Sequence, residues 1–146
     1  MWGILTAVVS GILMSIQGVF NTQVTEETSL WVSAGWVQSS ALLVCIAAWF
    51  FTGRESIAAL WQVHPRYTLL GGIFGAFITI TVIKSMESLG PAKAVMLIVT
   101  AQITAAYLLE LFGWFGVEKQ PFVWRKLIGF LIAVAGIILF KLPGSE

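Results

Sequence analysis

Charge is what this chain has least of. Eight Lys or Arg and seven Asp or Glu amount to 10% of 146 residues, and the formal net charge is +1. Such a chain has no field strong enough to hold nucleic acid or to draw in an acidic partner. The single cysteine, Cys45, excludes an intrachain disulfide, and a cysteine-based metal site would need other ligands. It sits in the apolar run 42–51, where it is expected to pack as a small hydrophobe. The single histidine, His64, lies in a connector beside Pro65, so neither a zinc cluster nor a Ser–His pair is expected. Neither H-E-x-x-H nor G-x-S-x-G occurs, and we expect no enzyme, no metal and no cofactor. Basic residues are missing ahead of the first apolar stretch, and no convincing A-x-A site follows it. That stretch is therefore expected to be a membrane span and not a cleaved signal peptide.

What the chain has is apolar length. Hydrophobic residues make up 58% of it, and its mean hydropathy is +0.92. A soluble domain of this size could not hide so much apolar surface, whereas a lipid-embedded bundle need not. About five apolar blocks can be drawn, over residues 2–21, 30–52, 66–86, 92–112 and 123–140. Each approaches the ~20 residues that cross a ~30 Å hydrocarbon layer at ~1.5 Å rise. The expected fold is an all-α integral membrane protein of about five transmembrane helices, forming one transmembrane domain over residues 1–146. A polar turn over 22–29, carrying Glu26 and Glu27, separates the first two helices, and Gly90-Pro91 turns between helices 3 and 4. In the long connector 53–65, Ile57, Leu60 and Trp61 are placed to rest on the membrane surface. Lys141 is expected to stop helix 5.

An odd number of spans puts the two ends of the chain on opposite sides of the membrane, so a following copy would be inverted. Orientation is weakly specified. The side with the N-terminus carries Arg54, Arg66, Lys119, Arg125 and Lys126, against Lys84, Lys93 and Lys141 on the other. A bias of five to three fits either a fixed topology or insertion in both directions.

Against this apolar background the polar residues stand out. Gln17 and Asn21 are one helical turn apart in helix 1 and share a face with Thr6 and Ser10. An amide inside lipid is costly unless it meets a partner or a wet cavity. Helix 2 adds Gln38, Ser39 and Ser40, and helix 4 adds Gln102, with Thr100 and Thr104 nearby. Ser10, Gln17, Asn21, Gln38 and Gln102 are the candidate substrate-binding residues. The alternative for each is glue between helices, at ~0.6 to 2 kcal/mol per contact. Glu110 in helix 4 is the best-embedded carboxylate. It is a candidate coupling residue for a proton or cation, and equally a group that reaches the interface or pairs with a basic side chain. Small residues at packing intervals include Gly71 and Gly75 in helix 3, Gly129 and Gly136 in helix 5, and Gly11-xxx-Ser15 and Gly18-xxx-Thr22 in helix 1. Such spacing lets helix backbones approach closely, within one copy or between copies.

These motifs in their order resemble the YdcZ-like branch of the drug/metabolite transporter superfamily, and more distantly its EamA-type carriers and small multidrug exporters. The marks are Gln17-Gly-Val-Phe-Asn21, Leu70-Gly-Gly-Ile-Phe-Gly-Ala76, Ala101-Gln102, Glu110-Leu-Phe-Gly113 and the stretch from Gly129 to Gly136. The resemblance implies one half of a ten-helix bundle completed by dimerisation, as an antiparallel homodimer or as a heterodimer with a paralogue. It also implies a bacterial plasma (inner) membrane. The small multidrug exporters carry a membrane glutamate in helix 1, and Gln17 stands at the corresponding place here. A neutral amide cannot exchange a proton near neutral pH, so the resemblance points away from proton–cation antiport and toward a neutral or zwitterionic solute. The YdcZ-like pattern often has an acid, usually aspartate, where Glu110 stands. The expected function is secondary transport of a small polar molecule by alternating access, through a midplane cavity lined by amides of helices 1 and 4. The alternative is a non-transporting structural or regulatory membrane subunit.

Overall fold

A computed structural model of the protein describes residues 1–141, excluding the side chains of Phe140 and Lys141. Among these residues every regular element is helical: α1 (Trp2–Glu27), α2 (Leu30–Thr52), α3 (Gly71–Leu89), α4 (Pro91–Phe112) and α5 (Trp124–Lys141). Short 3-10 turns cover Ile57–Gln62, Arg66–Leu70 and Trp114–Gly116. Four stretches among the described residues are long and apolar enough to cross a membrane: α1, α2, Arg66–Leu89 and α4. The 18 residues of α5 include Arg125, Lys126 and Lys141, a load that sets it apart from the other four. What ends α5, and with it the stop assigned to Lys141, lies outside the described residues.

The chain divides into two compact units, Met1–Pro91 and the part from Ala92 onward. In the first, α1, α2 and α3 pack pairwise on one another. The expected turn over 22–29 is mostly helix, because α1 continues to Glu27. Gln23, Glu26 and Glu27 are good helix formers. The threonines among them donate their hydroxyls back to the helix, Thr22 to the Gly18 carbonyl (2.9 Å), Thr25 to Asn21 (2.8 Å) and Thr28 to Val24 (2.6 Å). The turn shrinks to Thr28 and Ser29, and the Ser29 Oγ caps α2 by accepting the Val32 N–H at 3.3 Å.

Where the three helices meet, Gly18, Asn21, Ser33, Ala34, Ile83 and Met86 are buried. The α1–α3 crossing depends on Gly18. A Cβ built there would lie 2.8 Å from the Met86 Sδ and 3.3 Å from the Val82 Cγ1. The α1–α2 crossing carries a polar tie, since the buried Ser33 hydroxyl donates to the Asn21 carbonyl at 2.9 Å. Large apolar side chains elsewhere point outward, Phe51 being 84% and Trp61 79% exposed. In water that would be ruinous; in lipid it is the expected outer surface. At the far end of α2, the Trp49 indole donates to the Glu55 carbonyl (2.9 Å) and the Arg54 guanidinium stacks over Phe50 at 4.0 Å.

Gly90 closes α3 at φ 78, in the left-handed region, with its N–H on the Met86 carbonyl at 2.9 Å. Pro91 then opens α4, a position where its missing N–H costs nothing. In the second unit Gly113 (φ 68) ends α4, and the returning loop passes so close that a Cβ there would meet the Lys119 Cβ at 3.1 Å.

Candidate functional site

The face of α1 that carries Gln17 and Asn21 borders two hollows. One is a groove of about 390 Å³ between α1 and α2, lined by Gln17, Phe20, Asn21, Trp36, Ser40 and apolar neighbours such as Val44. The other, about 400 Å³, runs along α1 itself and joins Ser10 to Gln17 and Asn21. The i, i+4 spacing therefore works on the folded helix as it does on paper. Ser10, Gln17 and Asn21 share one face, and two of the three also face α2. None of the groove's lining residues carries a charge. Amide and hydroxyl groups supply both donors and acceptors, while Phe20 and Trp36 supply flat apolar walls. A hollow of this size admits a small metabolite.

Gln17 is exposed and Asn21 is 9% exposed. Among the described residues neither amide side chain makes a hydrogen bond. The Asn21 backbone carbonyl is the busy group, accepting from both Thr25 and Ser33. Ser40 donates to the Val37 carbonyl (3.0 Å) but keeps acceptor capacity toward the groove.

Gln38 points elsewhere. It is half-buried against α3, with its Nε2 4.0 Å from where a Gly75 Cβ would stand. Gln102 is exposed on α4, in the second unit, and its neighbours Thr100 and Thr104 donate back to the Met96 and Thr100 carbonyls. Phe20, Trp36 and Ser40 bring to the groove what the spacing of Gln17 and Asn21 alone does not display. Trp36 lines the groove from α2 while 65% of it stays exposed.

Glu110 is the third residue from the end of α4, nearer the helix end than a deeply embedded carboxylate would be. Its Oε2 accepts from the Lys126 Nζ at 2.9 Å, and the two side chains remain 43% and 47% exposed. Of the alternatives open to this carboxylate, the structure displays the pairing with a basic side chain. Beside the pair lies a groove of about 410 Å³ between α4 and α5, lined by Ile103, Ala106, Tyr107, Gly129, Phe130 and Ala133. Gly71, Gly129 and Gly136 have open space where a Cβ would stand, so no contact among the described residues occupies these positions. The close approach inside the first unit is made by Gly18.

Over residues 2–139 the chain matches the family described as "Putative inner membrane exporter, YdcZ", and it belongs to that family. The resemblance carried by Gln17-Gly-Val-Phe-Asn21 and the glycine stretches of helices 3 and 5 is thereby shown, and the family's description supports a transporter role. No curated protein and no solved structure matches the chain.

Proposed function

We propose that this member of the YdcZ family exports a small, uncharged or zwitterionic polar solute across a bacterial plasma membrane. It works as an antiparallel pair of five-span copies that alternate access. The solute sits against Gln17 and Asn21 in the α1–α2 groove, with Trp36 and Phe20 as walls and Ser40 as a further polar group. Two inverted copies bring two such faces to the midplane, which is how carriers built from inverted repeats form one site.

The observation that carries this reading is the state of the two amides. Were they helix glue, their side chains would be spent across the α1–α2 contact. That contact is tied instead by the Ser33 hydroxyl on the Asn21 carbonyl. The Gln17 and Asn21 side chains border a groove and make no hydrogen bond among the described residues. The uncharged lining favours solutes that need hydrogen bonds and no counter-ion.

The test is a thermal-shift screen of the purified protein against small polar metabolites, with Gln17→Ala alongside. A ligand at one hundred times its dissociation constant adds about 2.7 kcal/mol of apparent stability, enough to read easily. A compound that stabilises the wild type and not Gln17→Ala is the expected result. Equal responses from the two proteins would sink the assignment of Gln17.

A further inference from the structure

We propose that the α4–α5 groove is a lipid site, selective for a phospholipid whose headgroup carries a primary ammonium. The ammonium meets Glu110, the phosphate meets Lys126, and one acyl chain lies along Ile103, Ala106, Phe130 and Ala133. The inference rests on the second unit alone and does not depend on the solute groove.

The first argument is level. Glu110 is the third residue from the end of α4 and Lys126 the third residue of α5. The loop between them is bracketed by two aromatic pairs, Phe112 stacked on Trp114 (5.0 Å) and Phe122 edge-on to Trp124 (5.2 Å). Tryptophans gather at the headgroup level of a bilayer, so Trp114 and Trp124 put the ion pair where headgroups stand. The second argument is the division of the groove. From the pair inward, α4 presents Tyr107, Ala106 and Ile103, and α5 presents Gly129, Phe130 and Ala133. A mouth of two opposite charges leads into an apolar trough, which is the polarity profile of an amphiphile. At Gly129 a Cβ would meet nothing within 4 Å, so the trough is unfilled at that point.

The third argument is unspent hydrogen-bonding capacity. Glu110 uses one oxygen on Lys126, and Lys126 uses one of its three N–H bonds, so each charge still has room for a partner. Opposite charges side by side complement a zwitterion. A primary ammonium donates N–H bonds to the carboxylate, whereas a quaternary ammonium has none to give. An anionic headgroup would satisfy Lys126 and be repelled by Glu110. One helical turn inward, the Tyr107 hydroxyl is sealed from water and has no hydrogen-bond partner among the described residues.

The experiment uses delipidated full-length protein in detergent micelles, titrated with dioleoyl phosphatidylethanolamine, phosphatidylcholine or phosphatidylglycerol while its melting is followed. The wild type should prefer the ethanolamine lipid over the choline lipid by about tenfold in apparent affinity, the scale of one charge-assisted hydrogen bond. Glu110→Gln should erase that preference while still binding both lipids. Gly129→Leu, which fills the trough without touching the charges, should lose the response to both. Equal responses of the wild type to all three lipids, a phosphatidylglycerol response above the others, or a preference that survives Glu110→Gln would each overturn the proposal. Should Gly129→Leu fail to fold, the Glu110→Gln comparison decides by itself.

Discussion

Replacing Gly18 by alanine is the sharpest probe of how α1 and α3 meet. The new methyl would lie 2.8 Å from the Met86 Sδ and 3.3 Å from the Val82 Cγ1, both inside ordinary van der Waals contact. The sulfur belongs to the end of a flexible side chain, so the helices need not separate if Met86 can turn. But Met86 is only 3% exposed, and its new rotamer must displace other packed atoms. Overpacking of this kind costs ~1–3 kcal/mol. Exchanging glycine for alanine in a helix returns ~0.8–1.0 kcal/mol, so the net loss is about 0–2 kcal/mol and its sign alone would decide little. Gly11→Ala supplies the control. It lies two turns earlier in α1, meets nothing within 4 Å, and gains the same propensity. The difference between the two variants removes the propensity contribution and isolates the contact, leaving about 1–3 kcal/mol. Reversible unfolding in mixed detergent micelles measures it. Adding Met86→Ala to Gly18→Ala should recover part of the loss, with a coupling of about 1 kcal/mol. If Gly18→Ala and Gly11→Ala prove equally stable, α1 and α3 do not cross at Gly18 and the packing described above is wrong.

Other outcomes follow from the same packing. Ser33→Ala removes the hydroxyl on the Asn21 carbonyl and should cost about 0.6–1.7 kcal/mol in the same assay, the range of interhelical hydrogen bonds in bilayers. The carbonyl keeps Thr25 as a donor, which puts the value toward the low end. Glu110→Gln should change stability by less than about 1 kcal/mol, because both members of the ion pair are nearly half exposed. Raising the salt concentration should narrow even that difference. A larger, salt-independent loss would mean that the pair is sequestered.

The parts of this architecture that were legible in the chain are those with a local cause. The bounds of α2 follow from a serine cap before Leu30 and from Gly53 after Thr52. The shared face of Gln17 and Asn21 follows from helical geometry alone. The polarity of residues 22–29 reads as a turn, but threonine hydroxyls bonded to their own helix let α1 run on to Glu27. Contacts across helices are a different matter. Small-residue spacing marks Gly11, Gly18, Gly71 and Gly129 alike, and only the pairing of α1 with α3 singles out Gly18. Gln38 and Ser40 are two residues apart, yet one faces α3 and the other the α1–α2 groove. Lys126 stands 16 residues beyond Glu110, a separation at which no periodicity applies. The fifth helix is apolar in outline, but Arg125 and Lys126 at its start set it apart from the other four.

The length of α1 has a mechanical consequence. Its 26 residues extend about 39 Å at ~1.5 Å each, against a hydrocarbon layer of ~30 Å. Glu26 and Glu27 oppose drawing the surplus into lipid, so the last turns are expected in the headgroup layer, as a rigid post. From that post the chain enters α2 after only Thr28 and Ser29, and Ser33 is already fastened to Asn21 below. Two long rods joined by so short an elbow and bolted beneath it have little freedom to hinge against each other. Whatever cycle the carrier runs, α1 and α2 would swing as a single lever. The 18 residues between Thr52 and Gly71, interrupted only by short 3-10 turns, then carry the chain from that lever to α3, which packs back on α1.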